Sequence, residues 1–138
     1  MVLTDDLVVH DCGVICAGPR CVDLRPDAAQ RLGVGRDLGV VGTRERWRLD
    51  LPACDLESPL EGFVFLGWGE RVQIEPVPPA ERLARLADHR ALALPWTDQE
   101  ALLDLASCPA FSWRRPSDWS QMEGAVNQLL RRLEDACA

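Results

Sequence analysis

Asp5 and Asp6 stand side by side just ahead of a short apolar run, Leu7-Val8-Val9-His10. Two adjacent carboxylates at the entry to a strand can hold a magnesium ion, and one of them can take the proton of an attacking hydroxyl. Adjacent acids are also common where a chain is simply solvated, so the pair alone names no reaction. A second group with chemical content is Arg114-Arg115, set between an aromatic stretch (Pro109-Ala110-Phe111-Ser112-Trp113) and a helix start at Ser117-Asp118-Trp119. Guanidinium forks grip phosphate or carboxylate through two parallel hydrogen bonds, and the first turn of a helix adds N–H donors. Arg114 and Arg115 are therefore the candidate anion contacts. The clusters Arg44/Arg46/Arg48 and Arg82/Arg85/Arg90 are expected to pair with the 22 acids of the chain.

Other constellations are weaker. Cys12, Cys16 and Cys21 fall close together, and Cys54, Cys108 and Cys137 are scattered. A structural zinc site needs a second pair of ligands at similar spacing. None follows, which argues against structural zinc and for small buried thiols. Gly33, Gly35, Gly39 and Gly42 miss the dinucleotide fingerprint by one position, so that stretch is expected to be a loop. His10 and His89 have no nucleophile signature near them. The five tryptophans, in a chain without tyrosine, must supply much of the aromatic packing.

All fifteen basic residues are arginine. A phosphate loop of the G-x-x-x-x-G-K-[ST] type requires a lysine, so these 138 residues cannot build one. The net charge of −7 repels phosphate backbones and argues against a nucleic-acid partner. No apolar run approaches the roughly 18 residues of a membrane span. The opening residues show no basic region before an apolar stretch, so no secretory signal is visible and a cytoplasmic location with reduced thiols is expected.

These groups need elements to hold them. The first half reads as strands: Leu7–His10, Gly13–Cys16, Cys21–Leu24, Arg44–Leu51, Gly62–Trp68 and Arg71–Val77. Gly62–Trp68 is almost wholly apolar and is expected to be a central strand, paired antiparallel with Arg71–Val77 through a turn at Gly69-Glu70. Arg25–Leu32 is a short helix closed by Gly33, and Cys54–Glu61 a loop. The second half is helical. Pro78-Pro79 opens a helix over Ala80–Leu92, with Leu83, Leu86 and Ala87 on its inner face. Thr97-Asp98-Gln99-Glu100 forms a capping box ahead of Ala101–Leu105. A last helix carries Met122, Val126, Leu129, Leu130 and Leu133 at helical spacing. One α+β domain over 1–138 is the expectation: a strand-rich first half with a mostly antiparallel or mixed sheet, then a helical second half.

Several segments, taken in order, resemble the C-terminal kinase domain of HPr kinase/phosphorylase-like proteins. They are Leu3-Thr4-Asp5-Asp6-Leu7-Val8-Val9, Gly18–Pro26, Pro59–Gly69, Arg82–Leu86, and Leu103–Leu105 through Pro109 to Arg115-Pro116. The resemblance implies the rear part of an HPr-kinase-like ATPase domain, with phosphoryl transfer from ATP to a hydroxyl. Asp5 and Asp6 would then be the base and the magnesium ligand, and Arg114 and Arg115 anion contacts. The family's phosphate loop, which would precede the acidic pair, is not among these residues, and without it the β- and γ-phosphates have no cradle. Three readings follow: the rear part of a longer kinase, one half of a split enzyme, or a non-catalytic module that kept the fold. In the last, the strand edge left bare invites self-association or a protein or peptide partner.

Overall fold

The computed structural model describes residues 2–6, 8–11, 13–89 and 99–137. The architecture is mixed α+β, with four α-helices and three small, mostly antiparallel sheets among the described residues. No described helix is long and apolar enough to cross a membrane. The chain divides into two compact units, Met1–Pro59 and Leu60–Ala138.

In the first unit, β1 (Val9–Asp11) and β2 (Val14–Cys16) form an antiparallel hairpin in which Asp11 faces Val14. Gly13 supplies the positive φ of 79° that so tight a reversal requires. Strand β3 (Cys21–Leu24) leads into α1 (Pro26–Leu32). Pro26 sits in the first turn of α1, where its missing N–H costs nothing, and Gly33 ends the helix in the left-handed region at φ 67°. The glycine-rich stretch is not the expected loop. It forms β4 (Arg36–Val41), paired antiparallel with β5 (Arg44–Asp50), and the sheet order is β3-β5-β4. Leu38, Val40 and Val41 supply strand-forming side chains, and the register shift between Asp37 and Val40 is taken up at Gly39, φ 67°. The expected Cys54–Glu61 loop likewise contains β6 (Glu57–Pro59), laid antiparallel on β2. Pro59 lacks an N–H to give and is tolerated because β6 is an edge strand.

The second unit holds β7 (Phe63–Trp68), β8 (Gln73–Pro76), α2 (Pro79–Asp88), α3 (Gln99–Ser107), β9 (Ala110–Arg115), a 3-10 turn at Trp119–Gln121, and α4 (Met122–Cys137). Two expectations are corrected. β7 is not central and does not pair with β8. The order is β7-β9-β8, with β7 parallel to β9 and β8 antiparallel to it. Hydrophobicity reports how the faces of a strand are covered, not which strands lie beside it, so the late strand β9 could take the centre unannounced. It carries the core: Ala110, Phe111 and Trp113 are buried together with Val77, Ala106 and Ala125.

The expected α1 and α2 form with trimmed ends, α3 runs beyond Ala101–Leu105 at both ends, and a 3-10 turn precedes α4. α2 stops at Asp88, and residues 90–92 of the expected helix lie outside the described residues, as do Thr97 and Asp98 of the capping box. Leu83, expected on the inner face of its helix, is exposed, and so is Leu130 of α4. The 3-10 turn ahead of the last helix is capped by Asp118, whose carboxylate accepts the Ser120 N–H at 2.8 Å.

Candidate functional site

The acidic pair and the arginine pair fall in different units. In the first unit the Asp5 carboxylate accepts the backbone N–H of Asp23 at 3.0 Å, so one of its oxygens is committed to holding the chain start against β3. Asp6 is exposed. The strongest electrostatic feature nearby is one that sequence reading assigned only to general ion pairing. Asp23 and Arg48 are cross-strand neighbours on β3 and β5, and they form a two-pronged pair: Nε donates to Oδ1 at 2.8 Å and Nη2 to Oδ2 at 3.0 Å. Arg46 adds a longer contact at 3.5 Å. The hydrogen bonds from Arg48 hold the Asp23 carboxyl below its ordinary range, and Asp23 in turn raises the guanidinium of Arg48. Among the described residues no three His, Cys, Asp or Glu side chains gather as a metal-binding group.

In the second unit Arg114 and Arg115 are not at a helix start. They are the last two residues of β9, and the N-terminal turn beyond them is occupied by Asp118. The register sets them beside Gly67 and Trp68 of β7. Arg115 lies over the Trp68 ring at 4.4 Å and the Trp113 ring at 5.2 Å, a cation held between two indole faces. Among the described residues, one of its terminal nitrogens is buried without a hydrogen-bond partner, as is Nε1 of Trp113. Arg114 points to the opposite face, because successive strand residues alternate. Its side chain packs on Gly67, where a Cβ would stand 3.4 Å from the Arg114 Cγ. A glycine here lets the arginine lie against β7.

β7 itself is the most unusual surface of this unit. It is an edge strand, with β9 on one side and no strand on the other among the described residues. Natural edges are usually short, charged, bulged or interrupted by proline. β7 has six residues, Phe-Val-Phe-Leu-Gly-Trp, and none carries a charge. Leu66 is 71% exposed and Trp68 67%. Where it begins, the Phe63 N–H donates to the Pro109 carbonyl at 2.9 Å and fixes its alignment on β9. The Phe65 face carries Arg85 at 5.4 Å and an edge-on contact with His89 at 5.6 Å, so α2 covers that side. On the other face Arg132 of α4 lies over Phe111 at 5.9 Å.

An open cleft of about 390 Å³ is lined by Val72, Ile74, Gln128, Arg131, Arg132 and Asp135. Arg82, expected among surface ion pairs, instead donates to four backbone carbonyls, those of Val77, Ala106, Ser107 and Cys108, at 2.7 to 3.3 Å. It satisfies the end of α3 and ties it to α2. Arg85 pairs with Glu81 one turn away, as expected, and Arg90 lies outside the described residues.

No family model matches this chain, and neither a curated protein nor a solved structure matches it.

Proposed function

We propose that this protein is a binding module whose working surface is the free edge of β7, which accepts an extended strand from another chain. The observation that carries this reading is an uncharged six-residue strand standing at a sheet edge with Leu66 and Trp68 exposed. A bare edge offers a row of unused N–H and C=O groups, and strand addition satisfies them while burying the alternate side chains. The stack of Arg115 on Trp68 holds the indole over the sheet, ready to cover an incoming residue. A photo-crosslinking amino acid at position 66 tests this in the producing cell. A discrete adduct from position 66, and none from the equally exposed Leu103 on α3, is expected; equal labelling from both positions overturns the reading.

Phosphoryl transfer from a nucleotide to a hydroxyl, with HPr-kinase-like ancestry, is the second reading. It is supported by the exposed carboxylate of Asp6, beside an Asp5 with one oxygen on the Asp23 N–H and no second partner among the described residues. Magnesium and ATP would be its cofactors, and a separate phosphate-loop segment its complement. Calorimetry with Mg-ATP decides it: micromolar binding that Asp6→Asn abolishes supports the enzyme, and the absence of heat from this chain removes it as a kinase acting alone.

A further inference from the structure

We infer that the cleft between β8 and α4 is a binding site for a small carboxylic acid with an apolar body, of the aryl- or alkyl-acetate kind. It stands apart from the strand-accepting edge, because β9 lies between β7 and β8. The cleft, about 390 Å³, has two walls of different character. Val72 and Ile74 alternate along the chain with Gln73 and form a half-buried apolar floor. The other wall is polar. Gln128, Arg131, Arg132 and Asp135 recur at the spacing of one helix face, and all four are exposed.

The chain as a whole carries −7, but the balance is reversed here. Two guanidiniums line the cleft against one carboxylate, and no ion pair joins them among the described residues. Arg131 precedes Asp135 by one turn, the weaker order for a helical pair. Arg132 lies over the ring of Phe111 at 5.9 Å, which leaves its charge unneutralised. The sheet face beneath adds no acid. Ile74 is paired across β9 with Trp113, and Trp113 in turn with Leu66; Phe111 lies between Val64 and Pro76, and Arg115 beside Trp68. Arg115 is the one charge of that face among these strand residues. Trp113 is 7% exposed, yet its Nε1–H meets no acceptor among the described residues, and neither does one buried terminal nitrogen of Arg115. Donors and cations are therefore in excess on this side of the sheet, and a local excess of positive charge draws an anion even to an acidic protein.

The chemistry of the walls selects among anions. A guanidinium fork grips a carboxylate through two parallel hydrogen bonds, and an apolar floor takes the body attached to it. Asp135 repels a dianion twice as strongly as a monoanion, which favours a carboxylate over a phosphate monoester.

Phenylacetate titrated into the full chain, followed by proton–nitrogen correlation spectra, tests this. Saturable shifts centred on Val72, Ile74 and the last two turns of α4 are expected, with a Kd below about 1 mM for a ligand of about ten non-hydrogen atoms. The neutral 2-phenylacetamide is expected to bind about tenfold more weakly or worse. Arg131→Gln and Arg132→Gln should each weaken phenylacetate by about fivefold, and Asp135→Asn should tighten it by about twofold. All three positions are exposed, and circular dichroism confirms that each variant is folded. No saturation below about 10 mM overturns the inference. So do equal affinities for acid and amide, shifts centred elsewhere, or variants that bind like the wild type. Tighter binding of phenyl phosphate than of phenylacetate overturns the assignment to carboxylic acids. None of these results bears on the crosslink at position 66, so the cleft and the β7 edge stand or fall separately.

Discussion

Single side chains do structural work here that their types do not announce. Asp23 is the clearest case. Its carboxyl titrates below the ordinary range because Arg48 donates two hydrogen bonds to the ionised form. The stability linked to a lowered carboxyl is present above its unfolded value, near 3.8, and is lost as pH falls through the folded value. Urea midpoints followed through the strands of the first unit should therefore hold steady from pH 7 to about 4 and drop below that, where ordinary carboxyls begin to protonate. In Asp23→Asn the midpoint at pH 7 should be lower and the acid drop smaller. Arg82 is a second case. Arg82→Ala leaves the carbonyls of Val77, Ala106, Ser107 and Cys108 without their donor, and should cost roughly 1–3 kcal/mol in chemical denaturation. Arg82→Lys should recover only part of that, since a single ammonium cannot span the same fan of acceptors.

At the scale of elements, local pattern was a good guide where one segment decides its own conformation. The helix at Pro26–Leu32, its closing glycine and the short strands β1 and β2 were legible, because proline and glycine act on the few residues around them. Pairing across distance was not legible. β7 and β8 look like a hairpin in sequence, and nothing in Arg71–Val77 reports that Ala110–Arg115 will lie between them. The candidate site shared that fate. Arg114 and Arg115 were found by type, but their seats beside Gly67 and Trp68 depend on a parallel register that only the fold supplies. The glycine-rich stretch failed for another reason: its glycines mask a strand by providing a bulge and a turn within it. Gly39→Ala forces a side chain into the left-handed region at φ 67° and should destabilise the β4–β5 pair by about 1–2 kcal/mol. Gly39→Asn, which tolerates that region better, should cost less in the same denaturation experiment.

For the whole molecule, the two units divide the chemistry as well as the chain. The first contains the acidic pair and the Asp23–Arg48 clasp, and among its described residues only Ala29 is a buried apolar side chain. The second has the larger core, built on β9 and closed in part by Ala125 of α4. Ala125→Glu places a carboxylate where 2% of the alanine is accessible, and a buried unpaired charge is costly by several kcal/mol. Amide exchange read strand by strand should show β7 and β9 losing protection in that variant. If the units are separately cooperative, β3 and β5 should keep theirs. Loss of protection in all four strands together would show that one cooperative transition spans the chain.

The central position of β9 also bears on synthesis. Phe63 pairs with Ala110, 47 positions later (110 minus 63). At ribosomal rates of about 5–20 residues per second, β7 emerges some 2–9 s before its neighbour exists. An uncharged run ending in tryptophan must spend that interval unpaired, in a form suited to chaperone capture or to premature association between nascent chains.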